Sequence, residues 1–135
     1  MLPFTATLEL TGLDEALTAA IRATTEQALT EAAAELRQRL LLQFESEGSA
    51  YGEPWLPRKA RDKNLPRRPL LFQTGRLKSS LTDRDSPDHI EELETGADRP
   101  TLLFASRVLY ATFHQRGTRR MPARPILTPE ILSAL

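Results

Sequence analysis

Two histidines, a run of carboxylates and a dense group of arginines and lysines are the residues of this 135-residue chain with the means to do chemistry. His89 and His114 lie in different segments, and neither opens a metal-ligand spacing. Glu91, Glu92 and Glu94 have side chains suited to acid–base work or to a hard cation. Adjacent residues on a strand alternate faces, however, so Glu91 does not point with Glu92. A catalytic carboxylate pair also needs two opposed environments. The expectation for these acids is a solvated face. Cysteine is absent, which excludes disulfides, thiolate zinc sites and cysteine nucleophiles. The chain has no phosphate-cradling glycine loop and no GxSxG elbow. The expectation is a chain without catalytic residues, metal or cofactor.

The cations are concentrated in residues 56–78, where Arg58, Lys59, Arg61, Lys63, Arg67, Arg68, Arg76 and Lys78 face the single acid Asp62. Three readings stand side by side. A nucleic-acid-binding module would set these charges on phosphates and stack Trp55 or Phe72 on bases. A plain solvated loop would only pin Trp55, the sole tryptophan, to a core. Contact between copies is the third. Lys+Arg and Asp+Glu are equal at 18 each, yet the acids gather elsewhere, at Asp14, Glu15, Glu26, Glu31, Glu35, Glu45 and Glu47 and again over 83–98. Opposite charges set apart along a neutral chain suit pairing between copies, where complementarity sets register.

The elements that must carry these residues follow from periodicity. Phe4, Ala6, Leu8 and Leu10 alternate with polar residues, which predicts a half-buried strand. Thr11 can cap the next element, with Asp14 as partner. From about Leu13 to Glu47 the chain is rich in Ala, Leu, Glu, Gln and Arg and lacks Gly and Pro, which predicts a helix. Its apolar stripe would run through Leu17, Ile21, Ala28, Ala32, Leu36 and Leu40, with Leu29, Ala33 and Phe44 beside it. Gly48 stands where a C-cap glycine would. At ~1.5 Å per residue the helix is roughly 50 Å long, more than so small a domain can cover. Part of it is expected to pack on a neighbouring copy.

Prolines 54, 57, 66 and 69 make residues 46–69 an extended arm. Leu70 to Phe72 is a short apolar run, and Leu77, Ser79 and Leu81 alternate as in a strand. Strands are also predicted over His89–Glu94, with Ile90 and Leu93 inward, and over Thr101–Ser106. A turn at Gly96–Asp98 joins them. Val108–Gln115 reads as a helical turn ended by Gly117, and Glu130–Leu135 as a short helical tail. Tyr110 and His114, four apart, share a helical face. The order predicts an α+β fold: a long N-terminal helix on a small antiparallel sheet, with an extended Pro-rich basic arm, in one domain over 1–135. Met1–Leu10 has no secretory pattern. The apolar stretch Thr101–Phe113 is too short to span a bilayer and holds Arg107. The expectation is a soluble chain with no membrane partner.

Four segments read together are specific: Gly52 to Pro57 (GEPWLP), Pro69 to Ser80 (PLLFQTGRLKSS), Tyr110 to Thr118 (YATFHQRGT) and Met121 to Leu127 (MPARPIL). In order and spacing they resemble the phage virion morphogenesis family, which includes the Mu-type G protein and tail-completion proteins. Arg116 stands where that family usually has an aromatic or aliphatic residue, and Ile126 where it usually has Phe. The resemblance implies a non-enzymatic α+β subunit of tail completion or head–tail joining. It implies a homo-oligomeric ring at the neck, with a hexamer the expected number. Other neck and tail proteins would be partners, with DNA passing through the lumen. The candidate interface residues are Trp55, Arg58, Lys59, Arg67, Arg68, Arg76, Arg116 and Arg124. Trp55 would anchor the arm in its own core or in a neighbour. Arg124, held in a rigid extended piece, would form a bidentate pair with a neighbour's carboxylate or lie on the surface. Gly75 and Gly117 would make turns with unusual backbone angles.

Overall fold

The computed structural model describes residues 3–7, 15–57, 75–94 and 100–133. The expected capping pair Thr11 and Asp14, the run Leu70–Phe72, the turn Gly96–Asp98 and the second half of the arm, 58–69, lie outside them. Strand β1 (Phe4–Thr7) precedes helix α1 (Glu15–Glu45) and a single 3-10 turn, Ser49–Tyr51. Then come α2 (Arg76–Thr82), β2 (His89–Glu94), β3 (Thr101–Ser106), α3 (Ala111–Arg116) and α4 (Pro129–Leu132). The sheet is antiparallel, in the order β1-β3-β2. The architecture is the α+β fold that periodicity predicts.

Helix α1 forms because nothing in it breaks a helix, and three of its threonines are satisfied locally. Thr24, Thr25 and Thr30 each donate to the carbonyl four residues back. Its end is a Schellman motif. Glu47 N–H reaches Phe44 O at 3.2 Å and Gly48 N–H reaches Gln43 O at 2.9 Å. The left-handed C′ position therefore belongs to Glu47, at φ 52°, one residue before the predicted cap, and Gly48 follows at φ 94°.

The expected stripe along α1 holds only in its C-terminal half. Ala33, Leu36, Leu40 and Phe44 are buried against Leu77, Leu81, Leu102 and Phe104. Leu17 is 47% exposed and Ala28 is exposed too. At about 100° per residue these two fall far around the helix from Leu36 and Leu40. No described side chain between residues 17 and 32 is fully buried.

Leu77, Ser79 and Leu81 do not form a strand. They belong to α2, which buries Leu77, Ser80 and Leu81. A spacing of four satisfies both periods, two and 3.6, so the two leucines alone could not decide. Ser80 decides, because its hydroxyl is buried and bonded. Gly75 opens this helix at φ 78°.

Cross-strand partners lie on the same sheet face. His89, Glu91 and Leu93 therefore share a face with Ser106, Phe104 and Leu102. That face meets the helices: Ser106 Oγ is 2.6 Å from Ser80 Oγ, and the rings of His89 and Phe104 pack edge-on at 5.0 Å. Glu92 and Glu94 are exposed, as expected for a solvated acidic stretch. Glu91 is the correction. Its side chain is only 11% exposed and is paired with Arg37 of α1.

The two halves of α1 should respond differently to truncation. Leu36→Ala removes a fully buried side chain and should cost ~2–5 kcal/mol in chemical denaturation. Leu17→Ala should stay within about 0.5 kcal/mol at concentrations where the chain is monomeric.

Candidate assembly site

Residues far apart in sequence meet where α1 ends. Trp55 follows the Schellman turn, and its backbone N–H is bonded to Glu47 O at 2.8 Å. The residue is 5% exposed; its ring stands edge-on to Phe44 at 5.8 Å and donates Nε1–H to Pro125 O at 2.9 Å. Trp55 is thus anchored in its own chain. Gly48 makes room for it: a Cβ there would lie 2.5 Å from Trp55 Cδ1.

Two glutamines that sequence reasoning passed over complete the junction. Gln43 is fully buried; it donates to Pro125 O at 3.3 Å and accepts from Tyr51 N–H at 3.2 Å. Its place on the buried side of α1, three residues after Leu40, was the available signal. Gln115 acts like a piece of strand. Its Oε1 accepts from Ile126 and Leu127 at 2.8 and 3.0 Å, and its Nε2 donates to Leu127 O at 2.7 Å. Gly117, at φ 76°, lets the chain fold back so closely that a Cβ would meet Ala123 N at 2.7 Å. Thr128 closes the far side, donating to Tyr51 O at 2.6 Å.

The charged candidates divide by environment. Arg124 donates to the carbonyls of Leu56 and Pro57 at 2.9 and 3.3 Å, which ties down the start of the arm. Arg76 grips both carboxylate oxygens of Asp88 at 2.8 and 3.1 Å. That bond holds Asp88 below the usual carboxylate range and raises Arg76. Arg116 is exposed at the end of α3. Arg58, Lys59, Arg67 and Arg68 lie outside the described residues.

A serine, a histidine and a glutamate do come together behind α2, in an order unlike that of a hydrolase. His89 Nδ1 faces the backbone carbonyl of Ser80, at 2.7 Å, rather than its hydroxyl. Ser80 Oγ is turned instead to Leu77 O and Ser106 Oγ, both at 2.6 Å. The other His89 nitrogen meets Glu91 at 3.1 Å, which also takes Arg37 and lies 3.6 Å from Arg84. Burial pushes the Glu91 carboxyl up, but hydrogen bonds from Arg37 and His89 outweigh it and leave the group below its ordinary range. Among the described residues there is no group of three His, Cys, Asp or Glu able to hold a metal ion. No helix among them is long and apolar enough to cross a membrane.

The fold and this junction define a small α+β packing module in which Trp55, Gln43, Gln115, Arg124 and Thr128 bond to the chain's own backbone and the motif segments lock one another in place. The phage virion morphogenesis family matches residues 8–130, and the chain belongs to that family. Its role is accordingly a structural one in the assembly of a phage-type virion. No curated protein and no solved structure gives a match.

Gly48→Ala should displace the Trp55 ring and strain a left-handed residue, costing about 1–3 kcal/mol. The fluorescence of the sole tryptophan should shift to the red in the native state. An unchanged emission maximum would contradict the packing described. His114 supplies a pH test. Its Nδ1 is buried with no hydrogen-bond partner, and burial followed by the charge of Arg124 lowers its pKa from 6.5. The unfolded chain therefore takes up this proton first. Stability should be full above about pH 6.5 and fall as the pH drops below it. His114→Phe should flatten that slope in melting curves, with the acid loss from Glu91 confined to lower pH.

Proposed function

We propose that this chain is a non-enzymatic subunit of tail completion or head–tail joining, working as a homo-oligomeric ring at the neck. The observation that carries the reading is the uneven burial of α1. One half is sealed into a core, while no described side chain from residue 17 to 32 is fully buried although these residues form continuous helix. A helical segment gains most of its stability from tertiary packing. A second copy is the simplest source of that packing in a protein whose role is assembly. Leu109, Phe113 and Leu56 are exposed as well, apolar surface that a neighbouring copy would cover. Neck and tail proteins are the partners of this reading, and DNA would thread the lumen. A hexamer is the ring number it favours.

Light scattering and sedimentation on the 15.2 kDa chain test it. The expected result is a closed species of fixed stoichiometry that forms with rising concentration and weakens with salt, because screening removes its charge contacts. A chain that stays monomeric at several-hundred-micromolar concentration, alone and with purified neck components, overturns the reading.

A further inference from the structure

Two surface features of complementary character share no residue. The first is a ridge at the start of α3. Leu109, in the turn just before α3, is 81% exposed, and Phe113 within α3 is 55% exposed. Arg116, three residues after Phe113 at the end of α3, is exposed as well, and so is Arg119 beyond the helix. The second is an open hollow of about 310 Å³ on the C-terminal half of α1. Leu41, Leu42 and Tyr51 give it an apolar wall, and Glu35 and Glu45 stand at its rim. Arg39 also lines it, but its guanidinium is occupied by Glu35 at 3.1 Å and by the carbonyls of Ile131 and Ser133 at 3.0 and 2.6 Å. Glu45 is exposed and is left as the uncompensated charge of the rim.

We propose that Leu109 and Phe113 of one copy seat in this hollow on the next copy, with Arg116 against Glu45. The contact rests on the ring reading above and names its interface. Apolar ridge meets apolar wall, and a cationic edge meets an acidic one, so the same surfaces supply attraction and register. A copy is the fitting occupant because the chain carries both halves of the complement. The two patches are different, so the contact is heterologous. Repeated with a rotation that divides a full turn, a heterologous contact closes a ring in which every ridge fills a neighbour's hollow.

The absence of cysteine makes the test clean. Leu42→Cys and Phe113→Cys are made as separate single variants of the full chain, mixed, and oxidised. The expected product is the mixed disulfide dimer, formed at least about tenfold faster than either like-with-like dimer. As a second measurement, Arg116→Glu and Glu45→Arg should each weaken self-association roughly tenfold, and the double exchange should restore most of the loss. Circular dichroism checks that all variants are folded. If the unmodified chain oligomerises but the mixed dimer has no advantage and the charge exchanges have no effect, this interface is wrong and the ring reading stands. If the unmodified chain is monomeric throughout, both fall.

Discussion

The carbonyl oxygen of Pro125 accepts two buried side-chain N–H groups, from Trp55 and from Gln43, and the C-terminal half of the molecule is arranged around it. The two donors come from a helix and from the loop after it. The acceptor comes from a segment 70 residues beyond Trp55 in sequence. Each bond contributes only about 1 kcal/mol net, but leaving either donor buried and unpaired would cost more. The 121–127 segment is therefore held in place less by attraction than by the penalty for moving away. Gln115 enforces the same position from α3. Gly48 and Gly117 supply close approaches that no side chain would permit. Motifs that look like scattered loop residues are the parts of one lock.

A second constraint seats α1 on the sheet. Arg37, Glu91, His89 and Ser80 form a chain of polar contacts that runs from helix to strand to helix. Such a network is costly to bury and is tolerable only when each member is satisfied. Its value lies in direction. Leucines and phenylalanine in the core would accept a small slide or rotation of α1, whereas a charged pair across the helix–sheet interface accepts one arrangement. This also places some of the opposite charges that looked destined for a neighbouring copy. Arg37 and Arg76 meet Glu91 and Asp88 within the chain, so a contact between copies has to draw on other charges.

Much of the fold was legible because it depends on local patterns. The composition of α1 carries its own helix, and β2 and β3 begin and end at the residues their patterns indicate. Misreadings arose where one pattern serves two periods or where polarity does not reveal direction. Leu77 and Leu81 fit strand and helix equally, and only the burial of Ser80 separates them. Glu91 looked like its neighbours in an acidic run, yet the alternation that turns Glu92 to water turns Glu91 toward Arg37. At the end of α1 a glycine was the natural choice for the left-handed position, but Glu47 takes it. Gly48 is needed for a different reason, the face of an indole seven residues on. No local rule holds that information, because it depends on where Trp55 is buried. The same is true of Gln43 and Gln115, whose partners are backbone groups of a distant segment.

The asymmetry of α1 connects this fold to an assembly role. Secured by the Pro125 lock and the Arg37–Glu91 pair at one end, the helix continues toward its N-terminus with Leu17 and Ala28 in water. An isolated segment of that length is marginal as a helix. Here it is held in register by the secured half, because helix formation propagates more readily than it starts. The chain therefore bears the cost of ordering before any partner arrives, and a partner meets a rigid surface rather than a coil that must fold on contact. Binding to a preformed surface avoids the entropy of ordering, which otherwise consumes much of the interaction energy. For a protein whose role is virion assembly, a surface ordered in advance serves better than a larger but flexible one.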